Sequence, residues 1–234
     1  IKGRVKQSRN EKEDVMKEKP IIFSSEMVRA ILEGRKSQTR RVVKHKYPLF
    51  DAPATWKAYH VSDYGFGFET GEEFVKSPYG QPGNRLWVRE NYWITEVGGQ
   101  GIGNKFLVYD EEILSNEPSP KELRPIETTL TWGHHPSIHM PRWASRITLE
   151  ITGVRVERVM EISEADAKAE GVNADDFRIG FDGILGRENR ILFASLWDSI
   201  NGKKPGRSWA DNPFVWCLEF KRVEDSSWTT SERS

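Results

Sequence analysis

The chain has 234 residues, in which 35 Lys or Arg balance 35 Asp or Glu, with 37% hydrophobic residues and a single cysteine. This length fits one large domain or a smaller one with long insertions, and zero net charge excludes a protein that meets nucleic acid through a global field; such a partner needs a local patch. One cysteine, Cys217, excludes an internal disulfide framework and a cysteine zinc site, and no apolar run reaches the length of a bilayer span.

Residues 1–18 are mostly charged or polar and hold too little apolar surface to offset ordering entropy, so they read as a flexible polar arm or an exposed helix. Order is expected from Pro20, with Ile21, Ile22 and Phe23 as a short buried strand. Met27, Val28, Ile31 and Leu32 then recur at helical spacing, with Ser24 or Ser25 as N-cap and Gly34 as the C′ residue. Residues 35–46 carry six Lys or Arg and no acid. A helix end followed by cations and hydroxyls suits an anionic or polar ligand. It equally suits a helix C-terminus that complements its own dipole. A strand is expected at 39–43. Residues 44–82 lack sustained periodicity and read as an insertion with two short strands, near 56–61 and 66–70.

Gly83 and Asn84 turn the chain into the strongest strand signal. Leu86, Val88, Glu90 and Tyr92 point one way, and Arg85, Trp87, Arg89, Asn91 and Trp93 the other. Arginine interleaved with tryptophan suits base stacking and phosphate contact, or simply arginine stems lying over rings at a domain edge. A buried Glu90 must be paired or protonated. The glycines at 98–103 do not make a dinucleotide site, because no βαβ unit follows. A strand is expected at 105–110, then a second polar excursion at 111–135. His134, His135 and His139 are close in sequence, but neighbours on an extended chain point apart, so no metal is expected, and no cofactor. In 136–146, His139, Arg142, Trp143 and Arg146 offer an acid/base group, two fixed cations and a stacking ring. The alternative is a rigid connection burying Met140 and Trp143.

Ile147, Leu149 and Ile151 alternate until Gly153 shifts the parity to Val154 and Val156, the mark of a β-bulge. Ser163 caps a short helix that Gly171 stops. A second helix runs from about residue 187 with Leu192, Phe193, Leu196, Trp197 and Ile200 on one face. The final strand sets Phe214, Trp216, Leu218 and Phe220 together. Residues 224–234 form a polar tail.

Gly34-x-Lys36-x-x-Thr39-x-Arg41 resembles the signature of ASCH domains, members of the PUA-like superfamily. Three further blocks fall in the family's order: the strand from Gly83 to Glu90, the Ala-Asp-Ala-Lys-Ala-Glu-Gly helix, and the Trp216-Cys217-Leu218-Glu219-Phe220 strand. The whole chain also resembles a bacteriophage-encoded ASCH group, through Pro-Ser-Ile-His-Met-Pro-Arg-Trp-Ala-Ser-Arg at 136–146. The resemblance covers about residues 19–223. It implies an α+β fold, a small PUA-like β-barrel with flanking helices, bearing insertions at about 44–82 and 111–135. A cytoplasmic location, in the host cell if phage-encoded, agrees with the charged N-terminus.

Bacterial ASCH enzymes that hydrolyse N(4)-acetylcytidine use a lysine and threonine of this motif and a glutamate of the following helix. These positions correspond to Lys36, Thr39 and Glu170. A desolvated lysine can act as general base toward a threonine hydroxyl, with an acid protonating the leaving amine. Other ASCH and PUA-like domains bind RNA or modified bases, and one branch resembles a ribonuclease. Three readings follow. The first is a nucleic-acid or nucleotide-binding module for RNA, DNA or a modified nucleoside, with Arg35, Arg41, Arg85, Trp87, Arg89, Glu90, His139, Arg142, Trp143 and Arg146 as ligand contacts. The second is an amidohydrolase using Lys36, Thr39 and Glu170. The third is a phage inhibitor that binds a host protein. No membrane partner is expected.

Overall fold

The computed structural model describes residues 18–44, 58–62, 65–68, 74–97, 104–110, 124–172 and 189–223, a mixture of strands and helices. The expected arm, apart from Glu18, and the expected tail lie outside the described residues.

The largest sheet has five strands. They are β1 (Glu18–Ile22), β2 (Gln38–Val42), β6 (Arg85–Arg89), β11 (Thr148–Arg158) and β12 (Phe214–Val223), in the order β1-β6-β11-β12-β2. β1 and β6 pair in parallel, while β6–β11, β11–β12 and β12–β2 are antiparallel. The bulge expected at Gly153 is present, as a register shift between Ile151 and Gly153 opposite β12. Such a shift bends the strand and strengthens its twist. Helix α1 (Ser25–Leu32) closes the core of this sheet with Val28 and Ile31, beside Phe23, Leu86, Val88, Ile151, Trp216 and Leu218.

Directly paired residues share a face of a sheet. Thr39, Leu218 and Val154 therefore stand on the core face, as do Arg41, Trp216 and Val156. Arg40, Cys217 and Arg155 form a row on the opposite face, next to the row Gln38, Glu219 and Gly153. Helices α2 (Glu164–Ala169) and α3 (Asn189–Asn201) belong to a second cluster, in which Val159, Ala167, Phe193 and Trp197 pack with Val215. β12 is thus buried on both faces, beyond the single apolar face read from its alternation. Ile200, expected on the buried stripe of the second helix, is exposed: it shares the side of Phe193 and Trp197 but sits in the helix's last turn, outside the second cluster.

The continuous strand expected through Trp93 is broken at Glu90 and Asn91. β6 ends at Arg89 and β7 (Tyr92–Val97) enters a second, antiparallel sheet with β8 (Asn104–Tyr109), β9 (Arg124–Ile126) and β10 (Gly133–His135), in the order β10-β7-β8-β9. The excursion at 111–135 thus contributes two strands that its polar sequence does not advertise. A third sheet, β3 (Ala58–Ser62), β4 (Gly65–Phe68) and β5 (Phe74–Val75), falls in the first expected insertion.

Candidate functional site

Two tight helix ends deliver the Lys36–Glu170 pair. At the end of α1, Gly34 takes φ +74° and the carbonyl of Ala30 accepts from both Arg35 N and Lys36 N. That reversal turns Lys36 inward. At the end of α2, whose N-cap is Ser163, Gly171 takes φ +88° directly after Glu170. The two ends meet through an isolated antiparallel bridge between Lys36 and Glu170.

Lys36 Nζ donates to Glu170 Oε2 at 2.8 Å and to the Glu170 carbonyl at 2.7 Å, with the lysine side chain 0% exposed. Burial pulls this ammonium below its ordinary pKa; Glu170 opposes the shift, and Arg41 and Arg40 reinforce it. The other carboxylate oxygen, Glu170 Oε1, accepts from Arg40 Nη1 at 3.2 Å. Thr39 is fully buried, and its hydroxyl accepts from Arg41 Nη1 at 2.9 Å. Among the described residues no hydrogen bond joins Lys36 to Thr39. Arg41 also donates to the Ile22 carbonyl at 2.8 Å, and both Arg41 and Lys36 lie over the Phe23 ring, at 5.1 and 5.7 Å. Arg35 is more exposed: it pairs with Glu33, and its Nη1 donates to the Gly171 carbonyl at 3.3 Å.

Arg40 is the residue that motif reasoning missed. It occupies an unspecified position of the signature, yet its side chain is fully buried. It binds Glu157 through Nε at 2.9 Å, Gln38 Oε1 at 2.6 Å and Asp166 Oδ2 at 3.3 Å. Arg155 extends the network to Glu157, Asp166 and Glu219. Burial works against the Asp166 charge, but Gln38, Arg155, Ser163 and Arg40 outweigh it and hold the carboxyl below its usual range. The available signal was the alternation of Gln38 with Arg40 and of Arg155 with Glu157, polar residues repeating on one strand face. Cys217 lies buried between Arg40 and Arg155 in register, and burial pushes its thiol pKa up.

A second region surrounds Trp87. Arg89 lies over its ring at 4.6 Å and Arg142 at 6.0 Å, and Trp87 itself is only 8% exposed. Arg142 Nε pairs with Glu18 at 2.8 Å, and Arg89 Nη1 donates to the Ile138 carbonyl at 3.1 Å. The Nε atoms of Arg85 and Arg89 are buried without a hydrogen-bond partner. Arg146 is committed elsewhere. It makes two 3.0 Å bonds to the two oxygens of buried Glu90 and lies over the Tyr109 ring at 3.9 Å. Glu90 is thus paired, as its burial demands. His139 and Trp143 are exposed, and Met140 alone of the Met140/Trp143 couple enters a core. His134 and His135 diverge as expected: the first faces Asp110 and Trp93, the second stacks on Tyr92. Among the described residues no group of three or more His, Cys, Asp or Glu can hold a metal. No helix among them is long and apolar enough to cross a membrane.

No family model, curated protein or solved structure matches the chain.

Proposed function

We propose that this chain is an ASCH-type, PUA-like module that binds nucleic acid or nucleotides through the arginine face around Trp87. The observation that carries this reading is the gathering of three guanidiniums there: Arg89 and Arg142 lie over the Trp87 ring, and Arg85 stands on the same face of β6, opposite Glu18. Among the described residues the one acid paired with this group is Glu18, whose side chain is 33% exposed, so a phosphate can displace it at small cost. Support for the small-barrel form of the fold comes from the bulged, eleven-residue β11, since closing a small barrel requires bent strands. The test is anisotropy of labelled RNA and DNA oligonucleotides across a salt series. For single-stranded oligonucleotides three phosphate contacts predict a slope of log affinity on log salt of about −2, and Arg89→Gln lowers its magnitude by about 0.7. Absence of binding at low salt ends this reading.

A second reading has its own observation. Lys36 and Glu170 are 134 positions apart and meet in a buried 2.8 Å contact, with Thr39 on the adjoining strand. That is the set an N(4)-acetylcytidine amidohydrolase requires. Depression of the Lys36 pKa favours the neutral amine that a general base needs. For Thr39 to serve as nucleophile, its hydroxyl must leave Arg41 for Lys36. Release of acetate from N(4)-acetylcytidine, lost in both Lys36→Ala and Glu170→Ala, is the expected result; an inactive wild-type protein of native fold rejects it.

A further inference from the structure

The arginine face is joined to a segment that is rigid and yet presents apolar side chains to solvent. Residues 136–146 form two 3-10 turns, Ser137–His139 and Arg142–Ala144, each preceded by a proline. Met140 and Ala144 are sunk in the core beneath the second sheet. The Tyr109 hydroxyl donates to the Ala144 carbonyl at 2.7 Å, and the Ser145 hydroxyl to the Val88 carbonyl at 2.7 Å. Asn91 receives the Ser137 N–H at 2.8 Å. A segment pinned at so many points does not expose its rings through looseness. Nevertheless Ile138 is 60% exposed and Trp143 49%. Both border the cations: Arg89 is bonded to the Ile138 carbonyl, and Arg142 immediately precedes Trp143.

Trp87 cannot supply a stacking surface, because it is nearly buried and carries the Arg89 guanidinium on its ring. Trp143 is the ring left open beside the cations. A pre-positioned aromatic face next to a row of guanidiniums matches a strand whose bases are unpaired, since stacking needs a free π face while the arginines follow the phosphates. A duplex keeps its bases stacked on one another and offers Trp143 nothing without paying to unstack them.

From this geometry we propose that the ligand is single-stranded nucleic acid, with one base stacked on Trp143 and the flanking phosphates held by Arg85, Arg89 and Arg142. The inference rests on the nucleic-acid reading above and narrows it. The experiment measures, at one low salt concentration, the affinity of the full chain for a labelled single-stranded 12-mer and for the blunt duplex of the same sequence. It does so for the wild-type protein, Trp143→Ala, Arg89→Gln and Ile200→Ala, the last altering an exposed apolar residue on α3. The expected result is tighter binding of the single strand. Trp143→Ala loses about tenfold or more on the single strand, while the Ile200→Ala affinity is unchanged. Because Trp143 is exposed, its truncation leaves the fold intact, which circular dichroism checks. Equal or tighter binding of the duplex overturns the single-strand inference and leaves the nucleic-acid reading standing. A single-strand preference that survives Trp143→Ala overturns the assignment of Trp143 as the stacking ring. Binding of neither form overturns the nucleic-acid reading and this inference with it, and directs attention to a protein partner for the same exposed side chains.

Discussion

At Lys36 the only carboxylate within salt-bridge reach among the described residues is Glu170, whereas Glu170 also holds Arg40. Arg40 in turn keeps Glu157 and Asp166. Truncating the two partners of the pair therefore has unequal costs. Glu170→Gln removes the counter-charge of a buried ammonium, which keeps its bond to the main-chain carbonyl of residue 170, and is expected to lose about 3–5 kcal/mol of stability. Lys36→Met leaves Glu170 charged but still bonded, and is expected to lose about 1.5–3 kcal/mol, the worth of a hydrogen bond to a charged group. Urea unfolding of both variants checks the order; an equal loss contradicts it. The direction of the Lys36 shift adds a pH prediction. Its folded pKa lies below the unfolded value, so between the two the unfolded chain binds more protons and this lysine's contribution to stability rises with pH. The stability difference between wild type and Lys36→Met is expected to grow toward pH 10 and then level off above the unfolded lysine pKa of about 10.4. At this scale Lys36 and Thr39 could be singled out because they stand in a spaced motif, and Glu170 only because the family resemblance points to it. Arg40 was not, because its three acidic partners lie more than a hundred positions away and no local pattern names them.

The short elements around the site depend on their terminal residues. α2 has only six residues and relies on Ser163 at one end and Gly171 at the other. A Cβ at Gly171 would sit 3.1 Å from Ala30 Cβ and 3.2 Å from Lys36 Cβ, in a left-handed conformation that side chains avoid. Gly171→Ala is expected to cost about 1–2 kcal/mol through φ alone. The added crowding pushes directly on Lys36 and on the helix end that presents Glu170. Thermal unfolding measures the loss. Gly34→Ala, at the same sign of φ but with nothing within 4 Å, isolates the conformational part, so Gly171→Ala is expected to be the worse of the two. Caps, glycine stops and the Gly153 bulge were readable because each is set by a few neighbouring residues. The break between β6 and β7 was not. Alternation from Leu86 to Tyr92 is unbroken in sequence, and only Glu90's buried pairing with Arg146 and Tyr92's pairing with β8 and β10 move the chain to another sheet.

Across the molecule, equal numbers of acidic and basic residues follow in part from internal pairing that spans the fold. The face of the main sheet opposite its core carries Arg40 and Arg155 among Glu157, Asp166, Glu170 and Glu219, joining β2, β11 and β12 to α2. Charge neutrality at this scale says little about ligands, because these cations are each matched by buried or half-buried acids, whereas near Trp87 Glu18 is the one acid paired with an arginine among the described residues. The same pairing makes the network a point of acid sensitivity. Asp166 is held below its ordinary pKa, so the stabilisation it contributes is present above the unfolded value near about 3.9 and is lost as pH falls through the lowered folded value. Asp166→Asn removes that contribution at every pH. The stability gap between wild type and Asp166→Asn is therefore expected to be full at pH 7, to shrink below about pH 4, and to close in stronger acid. Denaturant titrations at a series of acidic pH values measure it. A gap that stays constant down to the acid transition would mean that packing of α2, and not the charge of Asp166, joins this helix to the sheet.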